Sequence, residues 1–245
     1  MSEHIREHHS VLAAAEKRLL VAIARRLPAA VTSDHLTLLA FASMCLAGLG
    51  YGLAYGDRRW LWVSIGALFL NWFGDSLDGT VARVRRLERP RYGFYVDHVV
   101  DIVGITALMA GLASSGFMNP VIALAWLVAY LLVSGEIFLA TSVHSVFRLS
   151  FAGFGPTELR ILLAVGTVAL RTDPQVALPW FGRVPLFDLG GIIAIAGLAF
   201  ALGVSVYRNT RILARLEPAR RRGEGFTGAQ VQGCTGATVH GCMGS

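Results

Sequence analysis

The sequence describes an all-α, polytopic membrane protein: six membrane-crossing helices preceded by an amphipathic helix lying in the interface. Three observations lead there. The chain has 54% apolar and only 16% charged residues over 245 positions, too greasy a mixture for an ordinary soluble domain. Its apolar residues fall into runs near 36–56, 60–82, 94–115, 120–143, 159–171 and 186–207, most of them close to the roughly 20 residues that a bilayer crossing needs. The run at 159–171 is short and is expected to begin earlier. Finally, the basic residues alternate from one connection to the next. Arg6, Lys17, Arg18, Arg25 and Arg26 precede the first run, and Arg83, Arg85, Arg86, Arg89 and Arg91 fill the second connection. Arg148 and Arg160 flank the fourth, and Arg208, Arg211, Arg215 and Arg220 to Arg222 follow the last run. The opposite connections hold only Arg58, Arg59, Arg171 and Arg183. The positive-inside rule then places both termini at the cytoplasmic face of the cell membrane. A nucleic-acid partner, the other reading of a net charge of +6, does not explain a bias that alternates connection by connection.

Along the chain, residues 1–29 form a juxtamembrane segment. Leu12, Leu19, Leu20, Ile23 and Leu27 recur at helical spacing, with Lys17, Arg18, Arg25 and Arg26 placed to meet anionic headgroups. Glu16 interrupts that apolar stripe. Pro28 ends the helix, and Thr32-Ser33-Asp34 supplies capping residues for the first crossing. Residues 30–212 make one membrane domain. Gly48, Gly50, Gly52, Gly56, Gly111 and Gly116 offer close helix contacts within it. Residues 213–245 are a basic, then Gly-rich tail without the composition of a packed core. Cys45, Cys234 and Cys242 are too scattered for a disulfide framework or a zinc site.

The chemistry is concentrated in Asp75-Ser-Leu-Asp78-Gly79-Thr-Val-Ala82-Arg83 and Gly93-Phe-Tyr-Val-Asp97-His98-Val-Val-Asp101. Helical periodicity puts Asp75, Asp78, Gly79, Ala82 and Arg83 on one stripe and Gly93, Asp97 and Asp101 on another. The arginine-rich connection with Pro90 makes the two helices antiparallel. At about 1.5 Å per residue, Asp78 lies ~7 Å and Asp75 ~12 Å from Arg83, while Asp97 lies ~6 Å and Asp101 ~12 Å from Gly93. The acids thus match in depth, two by two. Each carboxylate in hydrocarbon costs about 2.5–3.5 kcal/mol, so four together call for compensating cations. An all-oxygen set suits two Mg²⁺ or Mn²⁺ ions, and paired metals beside a phosphate-binding arginine suit phosphoryl-type transfer from a nucleotide-linked substrate.

Asp75-x2-Asp78-Gly79-x2-Ala82-Arg83-x9-Gly93-x3-Asp97-x3-Asp101 resembles the signature of the CDP-alcohol phosphotransferases at all eight of its fixed positions. The resemblance implies a six-helix membrane fold, homodimeric as a rule, with a cavity open to the cytoplasm. It implies divalent-metal-dependent attack of an alcohol hydroxyl on a CDP-linked donor, either CDP-diacylglycerol or a CDP-aminoalcohol, with release of CMP. By position it makes Asp75, Asp78 and Asp97 metal ligands and Asp101 the general base, also touching metal. Gly79, Ala82, Arg83 and Gly93 would hold the CDP group. Where many members carry Pro-Asn-x-Leu-Thr, this chain has Ser33-Asp34-His35-Leu36-Thr37, so Asp34 is a further candidate for the donor site.

His98 after the third aspartate, and Glu158 in Gly155-Pro156-Thr157-Glu158, resemble the aminoalcohol enzymes. The bland readings are a packed histidine and an acid at a helix N-terminus. His144, Arg148 and Arg160 lie toward the same face as candidates for the acceptor or a lipid phosphate, and Glu136 is expected to pair with a polar neighbour. The rival functional class is cation-coupled transport, since buried acids also carry ions. A carrier needs acids spread along a path to the far side, and these four share one depth range.

Overall fold

The computed structural model describes residues 11–144, 156–179 and 182–217, with side chains from residue 16 onward apart from those of 144 and 156–158. Seven helices dominate it: α1 Val11–Arg26, α2 Ser33–Leu53, α3 Trp60–Val84, α4 Pro90–Ser114, α5 Pro120–His144, α6 Pro156–Thr172 and α7 Leu186–Leu216. The expected helical architecture is present. A small antiparallel hairpin, β1 Gln175–Leu178 with β2 Gly182–Pro185, joins α6 to α7; strands of four residues are too short to show a period in the sequence. The chain divides into a unit ending at Val206 and a second unit from Tyr207. In the second, the described residues continue α7, with Arg211 over the ring of Tyr207.

Helix α2 begins at Ser33 because Thr32 caps it. The Thr32 hydroxyl accepts from the His35 amide, and His35 Nδ1 accepts from the Thr32 amide. This reciprocal arrangement satisfies two amides that the first turn cannot pair itself. Helix α3 ends in a Schellman turn: Leu87 N–H bonds Ala82 C=O at 2.9 Å, Arg86 N–H bonds Arg83 C=O at 3.1 Å, and Arg86 takes φ 56°. Pro90, expected only as a break in the connection, is the first residue of α4, where its missing N–H costs nothing.

Glycine decides how α2, α3 and α4 pack. A Cβ on Gly111 would lie 1.9 Å from the Gly48 carbonyl oxygen, and one on Gly48 would lie 2.3 Å from that of Ala107. The backbones of α2 and α4 therefore touch directly. Around them Tyr51, Leu61, Leu68, Leu108, Met109 and Leu112 form the core, extended by Trp126, Leu170 and Phe187 from α5, α6 and α7. Tyr51 and Thr167 share a buried hydrogen bond of 2.5 Å that ties α2 to α6.

Helix α1 is amphipathic as expected, but much of its apolar stripe faces protein rather than lipid. Leu20 and Ala24 are buried against Leu36, Leu77 and Val81, and Trp72 Nε1 donates to Glu16, which explains an acid on that stripe. Arg85 donates to the carbonyls of Leu27, Pro28, Ala29 and Val31, just beyond the end of α1.

By length and composition, four helices suit a bilayer crossing: α2, α4, residues 120–143 of α5, and α7. The other two expected crossings differ for physical reasons. Helix α3 has 25 residues but carries Asp75, Asp78 and Arg83. Helix α6 has 17 residues, about 25 Å of length at 1.5 Å per residue, short of a hydrocarbon core of about 30 Å.

Candidate active site

Helices α2, α3 and α4 line a narrow cleft that is partly open to solvent. Asp75 and Asp78 from α3 and Asp97 and Asp101 from α4 all line it, with Thr37, Phe41 and Met44 from α2. The Gly48–Gly111 contact explains how the site comes together: it holds α2 on α4, while Gly74, whose Cβ would meet the Leu36 carbonyl at 2.7 Å, draws α3 onto α2.

Each carboxylate sits differently. Asp78 is buried; Thr37 donates its hydroxyl to Oδ2 at 2.8 Å and the Gly79 amide donates to Oδ1 at 2.5 Å. Asp75 is half-buried and accepts from Arg160 at 2.8 Å, a guanidinium that α6 brings almost fully buried to the cleft. Asp97 and Asp101 face the open side and hold no hydrogen bond with another described residue. Four acids thus face one paired arginine, an excess of negative charge that attracts cations.

Gly79 and Arg83 form an exposed rim on α3. Arg83 Nε folds back onto the Gly79 carbonyl at 3.0 Å, and a Cβ on Gly79 would meet nothing nearer than Arg83 Nη2 at 3.7 Å. The backbone there is open to a flat ligand. Ala82 is half-buried beside them, and Gly93 has open space around it.

Other expected site residues lie elsewhere. Asp34 is exposed and paired with Arg89, outside the cleft lining. The His98 ring stacks on Phe94 and Phe138, with centroids 4.1 and 4.9 Å away, and its Nδ1 lies 2.6 Å from the Phe94 carbonyl. Ser205 donates to Glu136 at 2.7 Å, the polar pairing expected for that acid. Arg148 and the side chains of His144 and Glu158 lie outside the described residues, as does the tail with Cys234 and Cys242.

Two cleft residues escaped the sequence reading. Thr37 stood in the segment quoted for Asp34, three residues further along α2, but no role was drawn from it. Asn71 precedes Asp75 by one helical turn on the same stripe, and an amide within Leu68-Phe69-Leu70-Asn71-Trp72-Phe73 was a usable signal. Its side chain is buried in the cleft wall and Nδ2 donates to the Ala40 carbonyl at 2.8 Å, while Oδ1 has no partner among the described residues.

This donor set, carboxylates and an orphaned amide oxygen, fits a hard divalent cation in kind. Among the described residues no three His, Cys, Asp or Glu side chains are gathered into a ready coordination sphere. Asp75 and Asp78 are engaged by Arg160 and Thr37 instead.

Comparison with known proteins bears on the site as a whole. The fold is similar to the crystal structure of Mycobacterium tuberculosis phosphatidylinositol phosphate synthase with CDP-DAG bound, at a TM-score of 0.61 and 19% identity. The similarity covers 78% of this chain and 94% of that one. A search of curated protein sequences returned no match. A sequence model described as CDP-alcohol phosphatidyltransferase matches residues 25–207, a range that contains both aspartate stripes and every helix that builds the cleft. On that match the chain belongs to the CDP-alcohol phosphatidyltransferase family, enzymes that transfer substituted phosphate groups.

Proposed function

We propose that the protein is an integral-membrane enzyme of phospholipid synthesis that transfers a substituted phosphate from a CDP-linked lipid donor to an alcohol hydroxyl and releases CMP. The observation that carries this reading is the convergence of Asp75, Asp78, Asp97 and Asp101 on one cleft beside the open backbone of Gly79 and the side chain of Arg83. Gly79, Ala82, Gly93 and Arg83 receive the CDP group, the arginine taking a phosphate oxygen pair with its planar fork. Asp34, tied to Arg89 at the rim, has a lesser claim to the donor.

The four aspartates would hold Mg²⁺ or Mn²⁺, which would neutralise charge on the pyrophosphate during transfer. Asp101 faces the open side of the cleft and takes the proton of the incoming alcohol. The alcohol oxygen bonds to the donor's lipid-linked phosphorus, the bond to the CMP phosphate breaks, and CMP leaves. Arg160, the cation that α6 brings to the cleft, is placed for a negatively charged acceptor. His98, stacked on Phe94 and Phe138, supports the aminoalcohol subtype poorly. CDP-diacylglycerol is accordingly the donor favoured here, its acyl chains meeting the exposed apolar face of α4 at Val99 and Val103.

Six crossings, with α3 and α6 crossing inside the bundle, both termini and the cleft facing the cytoplasm, and a homodimer in the cell membrane complete the proposal. The arginine bias supports the orientation, and the bare apolar surface of α5 and α7 supports contact with lipid or a second copy. The test is CMP release in detergent with CDP-diacylglycerol, CDP-ethanolamine and CDP-choline compared side by side. Release from CDP-diacylglycerol alone is expected; release confined to a CDP-aminoalcohol would replace the donor, and release from none would remove the reading.

A further inference from the structure

The Asn71 amide is oriented by its surroundings. The Ala40 carbonyl only accepts, so the 2.8 Å contact fixes the nitrogen on that side and turns Oδ1 the other way. Asn71 is 4% exposed and lines the cleft together with the four aspartates, yet Oδ1 has no hydrogen-bond partner among the described residues. A buried acceptor left without a donor is a standing cost to the fold.

The lining offers nothing to fill that role. An ionised carboxylate only accepts, the Thr37 hydroxyl is given to Asp78, and the Arg160 guanidinium bonds Asp75 without reaching Asn71 Oδ1. The missing donor therefore belongs to what enters the cleft. Divalent cations of the Mg²⁺ type keep several of their waters when protein carboxylates bind them, and a metal-bound water is a strong hydrogen-bond donor. Asn71 stands one turn deeper on α3 than Asp75, on the same stripe, where an outer acceptor for such a water is needed.

We propose that Asn71 is part of the cation site, its Oδ1 accepting a hydrogen bond from a water carried by the divalent ion that the four aspartates attract. This rests on the divalent-cation reading above. It assigns a neutral residue outside the aspartate signature to metal affinity. Partners of this outer kind fix the orientation of the inner ligands and raise affinity through them.

The experiment is Mn²⁺ binding to the full chain in detergent, followed by the electron paramagnetic resonance of free Mn²⁺ with no substrate present. Asn71→Leu is expected to weaken binding by about 10- to 100-fold. Asn71→Asp keeps an acceptor oxygen but loses the N–H to Ala40, and is expected to bind at or above the wild-type level. Equal losses in both variants would mean that Asn71 acts only through its bond to Ala40, and would overturn the proposal. Wild-type affinity in Asn71→Leu would overturn it as well, leaving the aspartate site standing. Failure of the wild-type protein to bind Mn²⁺ would instead bring down the divalent-cation reading and this inference with it. Asn71→Ala, smaller and also without a side-chain acceptor, is read in the same way where leucine does not give a folded protein.

Discussion

Asp101 and Asp78 are both aspartates on inward stripes, but their surroundings separate their roles. Asp78 is buried and already accepts from Thr37 and the Gly79 amide, so it is held in place. Asp101 has no such bonds among the described residues and lines the cleft into which the proposed alcohol would come. Removing a positioned general base costs about 10²–10⁴-fold in rate. Asp101→Asn is thus expected to lose at least about two decades of single-turnover CMP release while keeping its affinity for the CDP donor. Near-wild-type turnover in that variant would move the base elsewhere. The four acids were legible in the sequence because helical spacing alone aligns them. Thr37 and the Arg160–Asp75 pair were not, because each depends on how one helix meets another; Asn71 stood on the Asp75 stripe, but its bond to Ala40 depends on that packing too. His98 follows Asp97 in the chain, but about 100° of helical rotation separates the two, and its ring meets Phe138.

Most helix bounds followed closely from caps and apolar runs, but α4 starts earlier than its run because proline is at home in a first turn, and α7 continues past its run at 207 to Leu216, into the expected tail. Two features resisted. The partner of the α1 stripe was not legible, since amphipathicity says that a face is buried without saying whether lipid or protein covers it, and here Leu20 and Ala24 meet protein. Arg85 read as one charge among five in its connection, whereas it closes the carbonyls that follow α1. The small residues on α2 and α4 were legible as contact points, and their strictest pair is Gly48 with Gly111. Forcing a methyl group into such a seam costs typically 1–3 kcal/mol, about the range for overpacking. Gly111→Ala is expected to lower the unfolding temperature in detergent and to reduce activity with it. Gly135→Ala, with nothing within 4 Å of the added carbon, should do neither. Equal behaviour of the two would mean that the α2–α4 seam does not organise the cleft.

Taken whole, the described residues join exposed apolar helix faces to a strongly acidic cleft, and the cleft lies within the family match over residues 25–207. Single-cysteine labelling in a cysteine-free background checks the orientation: positions 87 and 213 are expected to react from the cytoplasmic side and position 57 from the other. Reaction of 57 and 87 from one side would remove α3 as a crossing. The cleft itself is what the proposed chemistry depends on, since acids that converge on it without a cation would repel the donor's pyrophosphate rather than bind it. Single-turnover CMP release from CDP-diacylglycerol should therefore vanish after exhaustive chelation and return with Mg²⁺ or Mn²⁺. Asp75→Asn and Asp78→Asn should need more metal and bind donor more weakly at the same time. Full CMP release from the chelated wild-type protein would contradict the account, because the four aspartates would then have no catalytic reason to meet.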